Sequence, residues 1–178
     1  MGTPLSEALA NGNQEAFAAL YDRLGGRLFA TARTMLDSTA EAEDVVHDVF
    51  VDLARSRERL AAVADLDGYI FTMLRHAVGR RLRRSSLARR MVDRLGRQRI
   101  DAGGFATAPV SPPDESLTAA VAALPPAQRE VVALKIDGGL TFAEIAAVVG
   151  GSANTVASRY RYALDRLRSA LAPEESRR

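Results

Sequence analysis

The sequence predicts an all-α protein: two small helical domains joined by a flexible linker, the second carrying a helix-turn-helix. Three observations predict it. Apolar and β-branched residues recur at helical steps and almost nowhere alternate. One Gly-, Pro- and Ser-rich stretch without apolar period divides the chain. After it, a short capped helix, a glycine turn and a longer basic helix follow in order.

In the first module, taken as residues 5–100, Phe17, Leu20, Tyr21, Leu24 and Leu28 form a stripe on one helix face. Asn13 is placed to cap that helix. Gly25-Gly26 predicts a bend or a break, because paired glycines weaken a helix interior. Val46, Val49, Phe50 and Leu53 give a second stripe, its N-terminus marked by Ser38 or Thr39 with Glu41 and Glu43 following. Phe71, Leu74, Val78 and Leu82 give a third. Its polar side is Arg75, His76, Arg80, Arg81, Arg83 and Arg84.

Residues 101–116 read as the linker; seven of these sixteen residues are Gly, Pro or Ser. The second module is taken as 117–172. Leu124-Pro-Pro opens a helix, with proline tolerated in the first turn, and Gly138-Gly139 stops it. Thr141 caps a short helix with Phe142, Ile145, Ala146 and Val149, and Glu144 completes a capping box. Gly150 stands where a turn needs positive φ. Val156, Tyr160, Ala163, Leu164, Leu167 and Leu171 then share one face of the last helix.

Composition excludes more than it identifies. Of 178 residues, 47% are hydrophobic and 26% charged, ordinary for a folded chain. Cysteine is absent, which removes disulfides, thiolate metal sites and cysteine nucleophiles. No apolar run is long enough to span a membrane. The N-terminus has no secretion signal, so a cytoplasmic location is expected. The match of Gly2 and Ser6 to a myristoylation pattern, and of Arg83-Arg84-Ser85-Ser86 to a phosphorylation pattern, are of the kind that recurs by chance. Neither a phosphate-binding glycine loop nor a catalytic carboxylate pair occurs, so no catalytic residues, metal or cofactor are expected.

The net charge of +2 hides an asymmetry. Residues 1–67 carry a net charge of −6 and residues 68–100 a net charge of +9, almost all of the basic charge being arginine. A basic segment of this strength points to a polyanion, and an acidic one to a basic partner. Asp44, His47 and Asp48 lie at helical steps and share one exposed face. On the last helix, Asn154, Thr155, Ser158, Arg159, Arg161 and Tyr162 lie off the apolar face, where they reach phosphates and base edges if the helix enters a major groove.

These segments carry a family resemblance. Leu124-Pro-Pro-Ala-Gln-Arg-Glu-Val-Val132, Gly139-Leu-Thr-Phe-Ala-Glu-Ile-Ala-Ala-Val-Val-Gly150 and Asn154-Thr-Val-Ala-Ser-Arg-Tyr-Arg-Tyr-Ala-Leu-Asp-Arg-Leu-Arg168 resemble region 4 of a bacterial sigma factor. Ala42-Glu-Asp-Val-Val-His-Asp-Val-Phe50 resembles region 2.2, and the segment Gly68 to Arg84 resembles the promoter-melting part of region 2. The two in this order, joined by a short linker, resemble the extracytoplasmic-function (ECF) group.

That resemblance implies a sigma factor that directs RNA polymerase to promoters and has no enzymatic activity of its own. Asp44, His47 and Asp48 would grip the polymerase core, through its β′ coiled coil. Asp67, Tyr69, Arg75, His76, Arg80, Arg81, Arg83 and Arg84 would read and open the minus-ten element. The exposed residues of the last helix would read the minus-thirty-five element. RNA polymerase core (β and β′ subunits), promoter DNA and an anti-sigma factor are the implied partners.

Three departures from the family stand out: the chain has no Trp, Gly151 replaces an apolar residue after the turn, and Ala157 stands where a basic residue is usual. The alternative is a helix-turn-helix regulator that binds duplex DNA without recruiting polymerase. The linker composition further predicts modules that dock weakly, held together in trans by a separate protein.

Overall fold

The structure, a computed structural model, describes residues 4–36, 38–94 and 112–172. Among these residues it is helical throughout and contains no strand. The order is α1 (Pro4–Ala10), α2 (Gln14–Met35), α3 (Thr39–Arg55), a 3-10 turn (Arg57–Ala62), α4 (Leu66–Arg94), α5 (Pro112–Ala122), α6 (Pro126–Ile136), α7 (Phe142–Val149) and α8 (Ala153–Leu171).

Local chemistry places the helix ends. The Asn13 side chain accepts from the Ala16 N–H at 3.0 Å and starts α2. Ser38 does the same for α3 from the Glu41 N–H. Thr141 and Glu144 complete a capping box at α7, and Gly150 closes that helix at φ 74°. Gly139 turns between α6 and α7 at φ 63°. Each cap satisfies a backbone group that the helix end otherwise orphans.

Two elements differ from the sequence reading. α2 runs unbroken through Gly25-Gly26. Gly25 is buried beside the Tyr21 ring, so packing along the helix outweighs the weak local propensity. α5 begins at Pro112, inside the stretch read as linker. Proline in a first turn loses no hydrogen bond, so Pro112 and Pro113 open a helix there instead of preventing one.

The first module packs α2, α3 and α4 together, with α1 against the 3-10 turn. Leu20, Leu24, Leu28, Val49, Leu53, Phe71, Leu74 and Val78 are buried. Each such large side chain stabilises the fold by about 1.5–3 kcal/mol. Leu82 ends the third stripe at 40% exposed, and Leu171 ends the last one at 44%, because both helices outrun the core they pack on.

The modules were expected to dock weakly. They instead share one core: Val131, Leu134, Leu140, Ile145, Ala146 and Val148 belong to the same buried cluster as the first module. α6 packs on α2, and α7 packs on α4. Linker composition carries no information about the faces it connects, and the apolar residues of α6 serve both its own module and the other. A smaller cluster of Leu124, Val132, Ala163 and Leu167 holds α6 to α8.

Candidate functional site

Three surfaces carry the candidate residues. On α3, Val45, Val46 and Val49 face inward, which turns Asp44, His47 and Asp48 outward with Glu43. All four are exposed. Beside them lies a groove of about 390 Å³ between α2 and α3, walled by Tyr21, Phe29, Val46 and Phe50. The Tyr21 and Phe50 rings meet at 4.9 Å, and Tyr21 is 55% exposed. The sequence reading placed Tyr21 and Phe50 on the apolar stripes of their helices; in the fold both also line this groove. Of the outward polar residues of α3, Glu43 and His47 line this groove beside the two rings.

The arginines of α4 do not form one track. His76, Arg80, Arg83 and Arg84 lie on one exposed stripe at steps of 4, 7 and 8. Arg75 and Arg81 point to either side of it. The Arg81 Nε donates to Glu41 at 3.0 Å, and its Nη2 to Asp44 at 3.1 Å. The hydrogen bond to Glu41 leads the causes that hold this guanidinium still more firmly protonated. Arg75 turns to the second module and donates to Glu130 at 2.8 Å. A helix has only one solvent face, so residues spaced around it meet different neighbours. Arg89, Arg90 and Arg94 continue the sequence pattern along α4, but their side chains lie outside the described residues, as do Arg97 and Arg99 entirely.

At the start of α4, Asp67 is paired with Arg23, a residue the sequence reading missed. Tyr69 is half-buried and lines a cleft of about 490 Å³ with Asp52, Arg55, Arg59 and Met73. The cleft is open, polar on one wall and aromatic or thioether on the other. Among the described residues, no group of His, Asp and Glu is disposed to hold a metal ion. No helix among the described residues is long and apolar enough to cross a membrane.

The third surface is the helix-turn-helix of α7 and α8. Ser152 caps α8 by accepting from the Thr155 N–H at 3.1 Å. Val156 and Ala163 are buried against α7 and α6, which leaves two adjacent outward rows. Asn154, Ser158 and Arg161 form one, and Thr155, Arg159 and Tyr162 the other. All are exposed except Ser158, which is half-buried. Arg161 lies over the Tyr162 ring at 5.6 Å. Tyr160 instead packs inward on Phe142 at 5.6 Å.

Comparison with known proteins agrees with this geometry. Residues 20–89 match the family model for sigma-70 region 2, and residues 114–167 match that for sigma-70 region 4. The chain is 25% identical to the ECF RNA polymerase sigma factor SigK of Mycobacterium tuberculosis, over 94% of this chain and 91% of that protein. It is 26% identical to SigK of Mycolicibacterium vanbaalenii, over 94% and 87%.

Among solved structures it resembles CnrH in complex with the cytosolic domain of CnrY, with a TM-score of 0.65 and 26% identity over 94% of both chains. The sigma factor RpoE in complex with the anti-sigma factor NepR from Bartonella quintana shares the fold, with a TM-score of 0.70 and 21% identity over 87% of this chain and 96% of that one. Both region models match in the order that the sequence motifs follow, and the matching relatives are ECF sigma factors over nearly their whole length. The chain belongs to the ECF group of RNA polymerase sigma factors, the proteins that direct the polymerase to promoters and begin transcription.

Proposed function

We propose that residues 5–100 act as the module that binds core polymerase and opens the minus-ten element, and residues 117–172 as the module that reads the minus-thirty-five element. The observation that carries this is the division of one small molecule into an exposed acidic face on α3, a basic stripe on α4 and an exposed basic helix α8. Asp44, His47 and Asp48, with the groove beside them, suit a basic helix of the polymerase β′ subunit. His76, Arg80, Arg83 and Arg84 suit a DNA backbone. The cleft beside Tyr69 suits an opened base, which needs a pocket and a ring to stack on. Asn154, Thr155, Ser158, Arg159, Arg161 and Tyr162 suit the major groove.

The proposed partners are the polymerase core, promoter DNA and a regulatory protein of anti-sigma type. A groove of about 650 Å³ between α2, α5 and α6 supports the last, since its Leu117 and Ile136 are exposed apolar side chains. The chain would work in the cytoplasm as a subunit of the polymerase and not as an enzyme by itself. Run-off transcription with purified core polymerase on genomic fragments tests the whole reading. Discrete transcripts that require the chain are expected. Duplex binding by the free chain with no dependence of transcription on it would favour a regulator that does not recruit polymerase.

A further inference from the structure

We propose that Lys135 is a positioning residue for upstream promoter recognition: its ammonium fixes the start of α7 and, through the rings of Phe142 and Tyr160, sets the rotation of α8 and the aim of Arg159 and Arg161. This rests on the reading of α8 as the helix that meets the upstream duplex.

Lys135 is the one lysine among 24 Lys and Arg residues. It stands in the last turn of α6. Its Nζ donates to the Leu140 carbonyl at 2.9 Å, across the turn that Gly139 makes at φ 63°. The same ammonium lies over the Phe142 ring at 5.1 Å, within reach of a cation–π attraction. Both side chains are half-buried, which strengthens that attraction over one in open water. A compact ammonium serves the carbonyl and the ring face together. A guanidinium is a planar fork on a reach one atom longer, suited to paired acceptors.

The contact continues past Phe142. Its ring meets that of Tyr160 at 5.6 Å and 58°, the tilted geometry that aromatic pairs favour. Tyr160 lies four residues after the buried Val156, so the two share the face of α8 that meets α7. Apolar burial at Val156 holds the helices together but is non-directional. The ring pair is directional, so it fixes the rotation of α8. Arg159 and Arg161 flank Tyr160 at about 100° to either side. At the roughly 5–6 Å outer radius of a helix, a rotation of about 10° carries a side-chain end about 1 Å. Recognition contacts need their donors held within about 0.5 Å. A small loss of aim therefore costs base discrimination while the fold remains.

The holoenzyme is tested on upstream duplex from a promoter defined by run-off transcription, and on the same duplex with the element scrambled. Lys135→Met keeps the length of the side chain and removes its charge. It should lower the ratio of specific to scrambled binding about fivefold or more, with the salt slope and the capture of core polymerase unchanged. Tyr160→Leu, at the far end of the route, should lower the ratio by a similar factor. The double variant should lose no more than the larger single loss, because both changes break one route. Wild-type discrimination in either folded variant, or losses that multiply in the double variant, would overturn the proposal. So would a salt slope lowered by about one in Lys135→Met, the mark of a direct phosphate contact. If Lys135→Met does not fold, Phe142→Leu with Tyr160→Leu carries the same cycle with the same deciding outcomes. Normal upstream binding by both Arg159→Ala and Arg161→Ala would sink the reading of α8 and this proposal with it, whereas a null at Lys135 alone sinks only the proposal.

Discussion

Arg23 of α2 grips Asp67 of α4 with both guanidinium ends, at 2.9 and 2.8 Å. One turn further along α2, Arg27 stands 3.7 Å from the same carboxylate and also donates to Gly138. Asp67 thereby holds the first turn of α4 to α2, next to the point where the second module sits. The family resemblance implies a DNA contact for Asp67, which these ion pairs do not test. In the fold it is an anchor for the helix that carries the basic stripe.

The pair is bidentate but partly exposed, so its contribution is modest. A double-mutant cycle of Arg23→Ala and Asp67→Ala, followed by urea unfolding, should give a coupling of about 0.5–1 kcal/mol. A coupling near zero would mean that solvent screens the pair fully.

Core binding should depend on the outer face of α3. Asp44→Arg with Asp48→Arg should weaken polymerase capture more than tenfold while leaving the melting curve nearly unchanged, because exposed charges alter partners more than folding. The Arg81–Asp44 pair lost in this variant is itself exposed and worth little. A folded double mutant that pulls down core enzyme at wild-type strength would count against this face.

On α8 the expected order is unequal. Arg159→Ala and Arg161→Ala should weaken the upstream footprint, by about 1–3 kcal/mol of discrimination for a bidentate base contact. A phosphate contact would instead weaken all sequences alike and lower the salt slope by about one. Ser158→Ala should cost least, since Ser158 is half-buried beside the helix-turn-helix contact. Normal footprints from both arginine variants would mean that the duplex meets another face.

What could be read from sequence was local. The Asn13, Thr141 and Gly150 signals each depend on atoms within a few residues, and the sequence reading placed all three as the structure has them. It left Ser38 and Thr39 as alternatives for α3, and Ser38 is the cap. The helical stripes also follow from near neighbours, except where Leu82 and Leu171 run past the core. What escaped depends on distant partners. Arg75 and Glu130 are 55 residues apart, and nothing in either neighbourhood indicates that they meet. Arg23 looked like one more surface charge until Asp67, 44 residues on, supplied its role. Pro112 was misread because proline breaks a helix interior but opens a first turn, and composition does not distinguish the two.

The capping box of α7 gives a pH-dependent test of the helix that seats the second module on α4. The Thr141 N–H donates to the Glu144 carboxylate at 2.6 Å, and the Glu144 N–H donates to the Thr141 hydroxyl at 3.2 Å. The bond from the Thr141 backbone, then that involving its side chain, holds the Glu144 carboxyl below the usual glutamate range. A carboxylate whose folded value is depressed contributes stability above its unfolded value and loses it as pH falls through the folded value. Glu144→Gln keeps an acceptor at the same position but does not titrate. The wild type should therefore be more stable than Glu144→Gln by a constant amount near neutral pH. The gap should close as pH falls below about 4.3, the ordinary glutamate value. Because Glu144 is exposed, solvent limits the gap to a few tenths of a kcal/mol. Thr141→Ala removes the cap itself and should cost about 0.5–2 kcal/mol at neutral pH. Thermal melts of the three chains across an acid series would measure both effects. A gap that widens as pH falls would have the wrong sign for a stabilised carboxylate and would remove Glu144 from the cap.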